Sequence, residues 1–498
     1  MRTVVRLTGR YLAEYARRPL NLVLLLAVPL VFVSLSAGAI ADFAEAVGGV
    51  ADASQLDATT AAWAAAFIAG VAGFFHVLGS READRRLAAA GMGAGRVVSA
   101  RLVSGLILSL LAAAAALVAL AAATGIDEPA RAVAGSLMAA FIYLGIGALV
   151  GALVRSDVNG SLVVVFIWMF DVFLGPAMAG SDVWITRLFP THFPTLVILD
   201  SPSDYAGPVG DLGWALIWTF GSLLLAGFVF AATTQGPREK TPIRGAGWKR
   251  LAAGLRFGFR DYRRNIAMWV LLILLPVLFI SLSFYVTPDE LAPLELTENG
   301  VTSIELISMV DLHGAIMVPI TIGFLAGLAG LFVVQGSIEA DARLSLAGFK
   351  PRELLGVRLG IITLAALVTT AVSLGVTAVD FEPRSWGWFI LSNAAVAITY
   401  GMLGVLVGIV FGRLGGLYVM FLLPFIDVGL GQNIMFSAAP PDWGALLPAR
   451  GAVRVMVDAA FTPTLDVTGD VYLAGGWLAV LGLATALAFW RLARPSRA

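Results

Sequence analysis

Twelve long apolar runs, separated by shorter polar stretches, divide this chain. They lie near 19–38, 60–78, 102–123, 133–154, 160–179, 212–233, 266–286, 314–335, 359–379, 388–410, 416–436 and 472–490. Each is about the length that carries a helix across a ~30 Å hydrocarbon core. Hydrophobic residues make up 59% of the 498 and charged residues only 13%, more oil than a soluble globular protein needs. The expected fold class is therefore an all-α polytopic membrane protein of about twelve transmembrane helices. Its first partner is the lipid bilayer, and nothing calls for nucleic acid.

The formal net charge is zero, but the signs are separated along the chain. With the N-terminus placed in the cytoplasm, 28 of the 33 basic residues fall in cytoplasmic segments; Arg131, Arg187, Arg384, Arg450 and Arg454 do not. This positive-inside pattern fixes the orientation and puts both termini in the cytoplasm, with the cell (plasma) membrane as the expected location. The acids run the other way, with 22 of 33 outside.

Residues 1–40 have a basic start, an apolar stretch and the small residues Ser36-Ala37-Gly38-Ala39, a pattern shared with cleavable signal peptides. An internal repeat argues that the segment is retained. Residues 79–102 and 336–359 agree at 11 of 24 positions without a gap, and residues 15–36 and 262–283 at 10 of 22. The first apolar run is thus the first helix of a repeated unit. Gly147 and Gly151 recur as Gly404 and Gly408, and Asp171 recurs as Asp427. Two parallel six-helix repeats are expected, 1–234 and 251–498, joined by a cytoplasmic linker at 235–250. Parallel repeats put a pathway at the interface between the halves.

Three segments are candidates for mechanism. Before the first span, Val4, Leu7, Tyr11 and Tyr15 share a helical face while Arg6, Arg10 and Arg17 lie mostly off it, as in a helix lying in the headgroup plane. The second copy is Trp248 to Arg264. Between the second and third spans of each unit, Glu82, Asp84, Arg86 and Arg101 recur as Glu339, Asp341, Arg343 and Arg358. Loops of duplicated sequences usually drift, so a loop that keeps its charges is expected to contact something. The alternative is that these charges cap helix ends and pair with one another. Before the last span of each unit, Leu188-Phe189-Pro190 and Leu446-Leu447-Pro448 each open a short apolar stretch, expected as a re-entrant or interfacial helix in an outer lid.

Together these segments resemble the type-2 ATP-binding-cassette permeases, the membrane-spanning subunits of such transporters. The closest local likeness is Glu339 through Leu359, where Lys350-Pro351-Arg352-Glu353-Leu354-Leu355-Gly356 is similar to the family's segment leading into its third span. The resemblance implies an exporter in which the loop is a coupling helix seated on a cytoplasmic ATPase, with both units fused here in one chain. It assigns Glu82, Asp84, Arg86, Glu339, Asp341 and Arg343 to ATPase coupling. It also implies two copies of a separate cassette ATPase that carry the ATP and Mg. The first copy has Gly93-Ala94-Gly95-Arg96 where the second has Lys350-Pro351-Arg352-Glu353, so the two contacts are expected to be unequal.

The chain itself carries no phosphate-binding loop. The nearest stretch, Gly236-Pro237-Arg238-Glu239-Lys240-Thr241, lacks the glycine directly before the lysine. No enzyme activity, cofactor or metal is expected in it: cysteine is absent, and His76, His192 and His313 have no metal-ligand spacing. The rival is a secondary transporter of the major facilitator type, which shares two parallel six-helix halves. Gly79, Asp84, Arg85 and Arg86 resemble its loop signature, but the spacing is off by one and the Gly-Arg-Arg half is missing.

Asp171 and Asp427 recur in the fifth spans. A charge at membrane depth costs on the order of 2.5–3.5 kcal/mol on insertion scales, so such acids face a cavity or a polar partner. Either they line the pathway or each fixes packing inside its own unit.

Overall fold

A computed structural model describes residues 2–38, 53–179, 184–234, 266–346 and 351–492; at several helix ends, 338–346 and 351–355 among them, it describes the backbone alone. By its internal contacts the chain divides into two compact units, 1–241 and 242–498. The expected linker at 235–250 and the second headgroup-plane helix, Trp248 to Arg264, fall outside the described residues.

The first unit runs α1 (Arg2–Ala16), α2 (Pro19–Ser36), α3 (Ala53–Leu78), α4 (Arg81–Leu87), α5 (Ala94–Ala123), α6 (Pro129–Leu153), α7 (Asp157–Phe173), α8 (His192–Ile198) and α9 (Gly207–Thr233). Helices α2 and α6 open on Pro19 and Pro129, where the missing N–H costs nothing. Helix α7 opens on Ser156, whose side chain accepts from the Asn159 amide at 3.3 Å.

The second unit runs α10 (Ile266–Val286), β1 (Leu291–Glu298), β2 (Val301–Ser308), α11 (Met309–Leu346), α12 (Pro351–Thr377), α13 (Trp386–Pro424), α14 (Arg450–Phe461) and α15 (Thr468–Leu492). Among the described residues nine helices are long and apolar enough to cross a membrane, so this is a multi-pass membrane protein. The apolar stretch Trp386–Gly431 counts once among the nine, although Gly412 (φ +69°) breaks its helical geometry midway. Helix α7, at 17 residues, falls just short of that length.

Close helix crossings position everything else. A Cβ on Gly147 of α6 would land on the carbonyl oxygen of Gly70 in α3, and one on Gly404 of α13 would land on that of Gly327 in α11. Only glycine lets these backbones meet. At one end of the first unit Val77, Val98, Ala148, Ala152, Ala226 and Phe230 join α3, α5, α6 and α9 into one apolar cluster.

The structure also holds an element absent from the sequence-based expectation. Strands β1 and β2 pair antiparallel from Leu291↔Ser308 to Glu298↔Val301, closed by Asn299-Gly300 with φ of +51° and +78°. Both central residues at positive φ make the two-residue hairpin turn that suits the twist of the strands.

Candidate functional site

Helix α4 has two chemically different sides. Asp84 is wholly buried and takes both arms of Arg101 on α5: Nε donates to Oδ2 at 2.9 Å and Nη2 to Oδ1 at 3.0 Å. Ser80 donates to the same carboxylate at 2.9 Å and the Tyr11 hydroxyl of α1 at 3.3 Å. The Arg101 guanidinium also lies over the Tyr11 ring, 3.5 Å from its centre. The two buried charges thus pair through both arms of the guanidinium, with further hydrogen bonds to the carboxylate, as a buried pair requires. Burial, followed by the nearby Asp84 carboxylate, pushes the Tyr11 hydroxyl up to about 12.

Two further arginines of α4 reach the ends of other helices. Arg81 donates to the Ala152 and Val154 carbonyls at 2.6 and 3.1 Å, at the end of α6. Arg85 donates through Nε and Nη2 to the Thr233 carbonyl at 3.2 and 2.9 Å, at the end of α9. Cations there satisfy carbonyls left over by the helix and meet the negative end of its dipole. Burial, then the neighbouring Arg85 and Arg155, lowers the Arg81 pKa.

The other side of α4 faces outward. Glu82 and Arg86, one helical turn apart, pair at 3.2 Å with each side chain 69% exposed. The chain then passes through Ala88–Met92 to two glycines with positive φ, Gly91 at +92° and Gly93 at +75°, before α5 begins. Of the first copy's three expected coupling residues, Glu82 and Arg86 are thus exposed together while Asp84 is locked inside. Glu339, Asp341 and Arg343 lie on α11, but their side chains are outside the described residues, as is Lys350.

Helix α1 is amphipathic, as its residue pattern predicts. Its apolar face packs on protein: Leu7 and Tyr11 are buried against Ala100 of α5, flanked by Val4 and Met92. Thr8 donates to the Ala100 carbonyl at 3.4 Å. Arg6, Arg10 and Arg17 are exposed.

The two acids expected at membrane depth form a second, duplicated arrangement. Asp171 accepts the Tyr143 hydroxyl at 2.8 Å, and the Thr191 amide lies 3.1 Å from each of its oxygens. Asp427 accepts the Tyr400 hydroxyl at 2.7 Å and the Ala449 amide at 2.8 Å. Thr191 follows Pro190 and Ala449 follows Pro448, so each acid holds the residue that opens the short helix, α8 or α14. The tyrosines were not among the sequence candidates. The signal that marks them is their spacing: each stands four residues before the glycine of its helix crossing, Gly147 or Gly404.

The geometry of α3 to α9 belongs to a stretch with a known likeness. Residues 61–234 match the ABC-2 family transporter protein family. The match begins within α3, takes in α4 and its buried ion pair, and ends with α9. It supports a membrane transport subunit of the ATP-binding-cassette type and does not favour the major facilitator alternative. No curated protein matches the chain.

Proposed function

We propose that this chain is the permease of an ATP-binding-cassette exporter, with two six-helix units fused in one polypeptide and a cassette ATPase seated at each copy of the loop between the second and third spans. The observation that carries this reading is the division of α4, inside the stretch that matches the transporter family. Its exposed side offers Glu82 and Arg86. Its inner side is tied by Asp84 to α5 and α1, and by Arg81 and Arg85 to the ends of α6 and α9. A push on the exposed side is then delivered to four helices at once, which is what a coupling element must do. ATP and Mg belong to the partner ATPase, and the loops lie on the cytoplasmic side of the plasma membrane.

Asp171 and Asp427 serve as anchors. Each joins the helix crossing, through its tyrosine, to the start of the short helix, and so fixes the outer segment to its own unit.

The test is purification of the chain with a cassette ATPase encoded beside it. Two ATPase copies should co-purify, and the isolated chain should hydrolyse no ATP. Robust hydrolysis by the chain alone, or failure of any such ATPase to bind it, would overturn the proposal.

A further inference from the structure

The first unit carries a groove of about 620 Å³ between α6 and α9, lined also by Arg187 and Leu188 of the segment before α8. That volume lies within the ~300–1,000 Å³ of small-molecule sites. Along α9 it runs from Trp214 to Leu225, about 16 Å at 1.5 Å per residue. Its walls are apolar. The rings of Trp214 and Phe193 stack 6.0 Å apart at one end, and Gly221 leaves open space where a side chain would stand. The groove opens sideways along a face of α9 where Ile217 and Leu225 are 59% and 51% exposed, an apolar surface suited to lipid.

One cation stands among its lining residues. Arg187 lies with its guanidinium 3.3 Å from the centre of the Tyr205 ring, so stacking fixes the plane of the group. A guanidinium has five N–H donors in a fixed fork that matches phosphate oxygens, alongside contacts it makes within the protein. A long apolar slot with one cation at its end is complementary to an acyl chain with an anionic headgroup.

The second unit carries a larger side chain at one position of the corresponding seam. In the register that aligns Gly147 with Gly404, Gly145 becomes Met402, which is buried, with Gly482 of α15 beside its sulfur. Leu481, next to that glycine, is buried as well.

We propose that the α6–α9 groove binds one anionic glycerophospholipid from the surrounding bilayer, its acyl chain along Trp214 and Trp218 and its phosphate on Arg187. The inference needs only that α6 and α9 lie in a bilayer and is independent of the ATPase reading.

Two tryptophans of the groove give the assay. The protein is placed in phosphatidylcholine nanodiscs with increasing fractions of either brominated phosphatidylglycerol or brominated phosphatidylcholine, and tryptophan quenching is read. The variant W214F/W218F supplies the contribution of the other ten tryptophans. Half-maximal quenching of Trp214 and Trp218 should occur at about tenfold lower mole fraction of the anionic lipid, the order expected for one charge-assisted phosphate contact. Arg187→Gln should abolish that preference, Arg187→Lys should keep part of it, and Gly221→Leu should weaken quenching by both lipids. Gel-filtration profile and thermal midpoint check that each variant is folded. Equal half-points for the two lipids, a preference that survives Arg187→Gln, or quenching indifferent to Gly221→Leu would each overturn the proposal.

Discussion

The hydroxyl of Tyr143 donates to Asp171 at 2.8 Å, and the same contact recurs between Tyr400 and Asp427 in the second unit at 2.7 Å. All four side chains are buried. Loss of one hydroxyl leaves a buried carboxylate short of a donor, at a cost of about 1–3 kcal/mol. Tyr143→Phe and Tyr400→Phe should therefore each lower the thermal midpoint. Asparagine at both acids should shift yield and midpoint while substrate preference stays fixed. A changed preference for cationic over neutral substrates at unchanged stability would reject the anchoring role.

Asp84 and Arg101 should behave as one unit. Truncating either partner strands a buried charge, a loss of about 3–5 kcal/mol. Arg101→Lys should not restore full stability, because an ammonium carries its donors on one nitrogen and lacks the planar pair of parallel N–H groups that Asp84 accepts. Thermal unfolding in detergent checks both; a lysine variant as stable as the parent would remove the bidentate geometry from the account.

Glu82 should show the opposite profile. It is exposed and pairs on the surface with Arg86, so Glu82→Gln should by itself change stability by no more than about 0.5 kcal/mol; Glu339→Gln is combined with it to remove the carboxylate of the second copy. Transport by the assembled complex should nonetheless be lost while ATP hydrolysis continues. Normal transport in the double variant would refute the coupling assignment.

Tyr11 predicts a pH dependence. Its hydroxyl is pushed up to about 12 in the folded protein, against 10 for the free side chain. The proton is thus held more tightly in the folded state: the stabilisation is fully present below pH 10 and is lost as pH rises from 10 to 12. Midpoints measured across that window should fall less steeply for Tyr11→Phe than for the parent. Parallel slopes would show that the ring is not buried beside Asp84.

Gly147→Ala and Gly404→Ala should each destabilise by about 1–3 kcal/mol or more, since the added methyl meets a backbone oxygen that cannot turn aside. Gly221→Ala, where the space is open, should be neutral or stabilising. Loss of folded yield in the first two but not the third is the expected outcome.

The sequence by itself determined the solvent of this protein. Apolar length decides whether a segment can cross a bilayer, and that property is local, so a run such as 102–123 could be read as a helix without its neighbours. The glycines at 147 and 404 were legible for a similar reason, because close backbone approach admits one residue type. The hairpin at 291–308 is local too, and Asn299-Gly300 between alternating residues is its signal.

Only the tertiary structure decided which of several equivalent charges face inward. Glu82 and Asp84 both recur in the second copy, and the sequence treats them alike. Two residues along a helix turn through about 200°, so one carboxylate meets Arg101 while the other meets solvent, and the choice depends on where α5 lies. The same holds for Tyr143 and Asp171, 28 positions apart, and for Arg187 at the α6–α9 groove. Their relationship is set by helix packing, which no local pattern records.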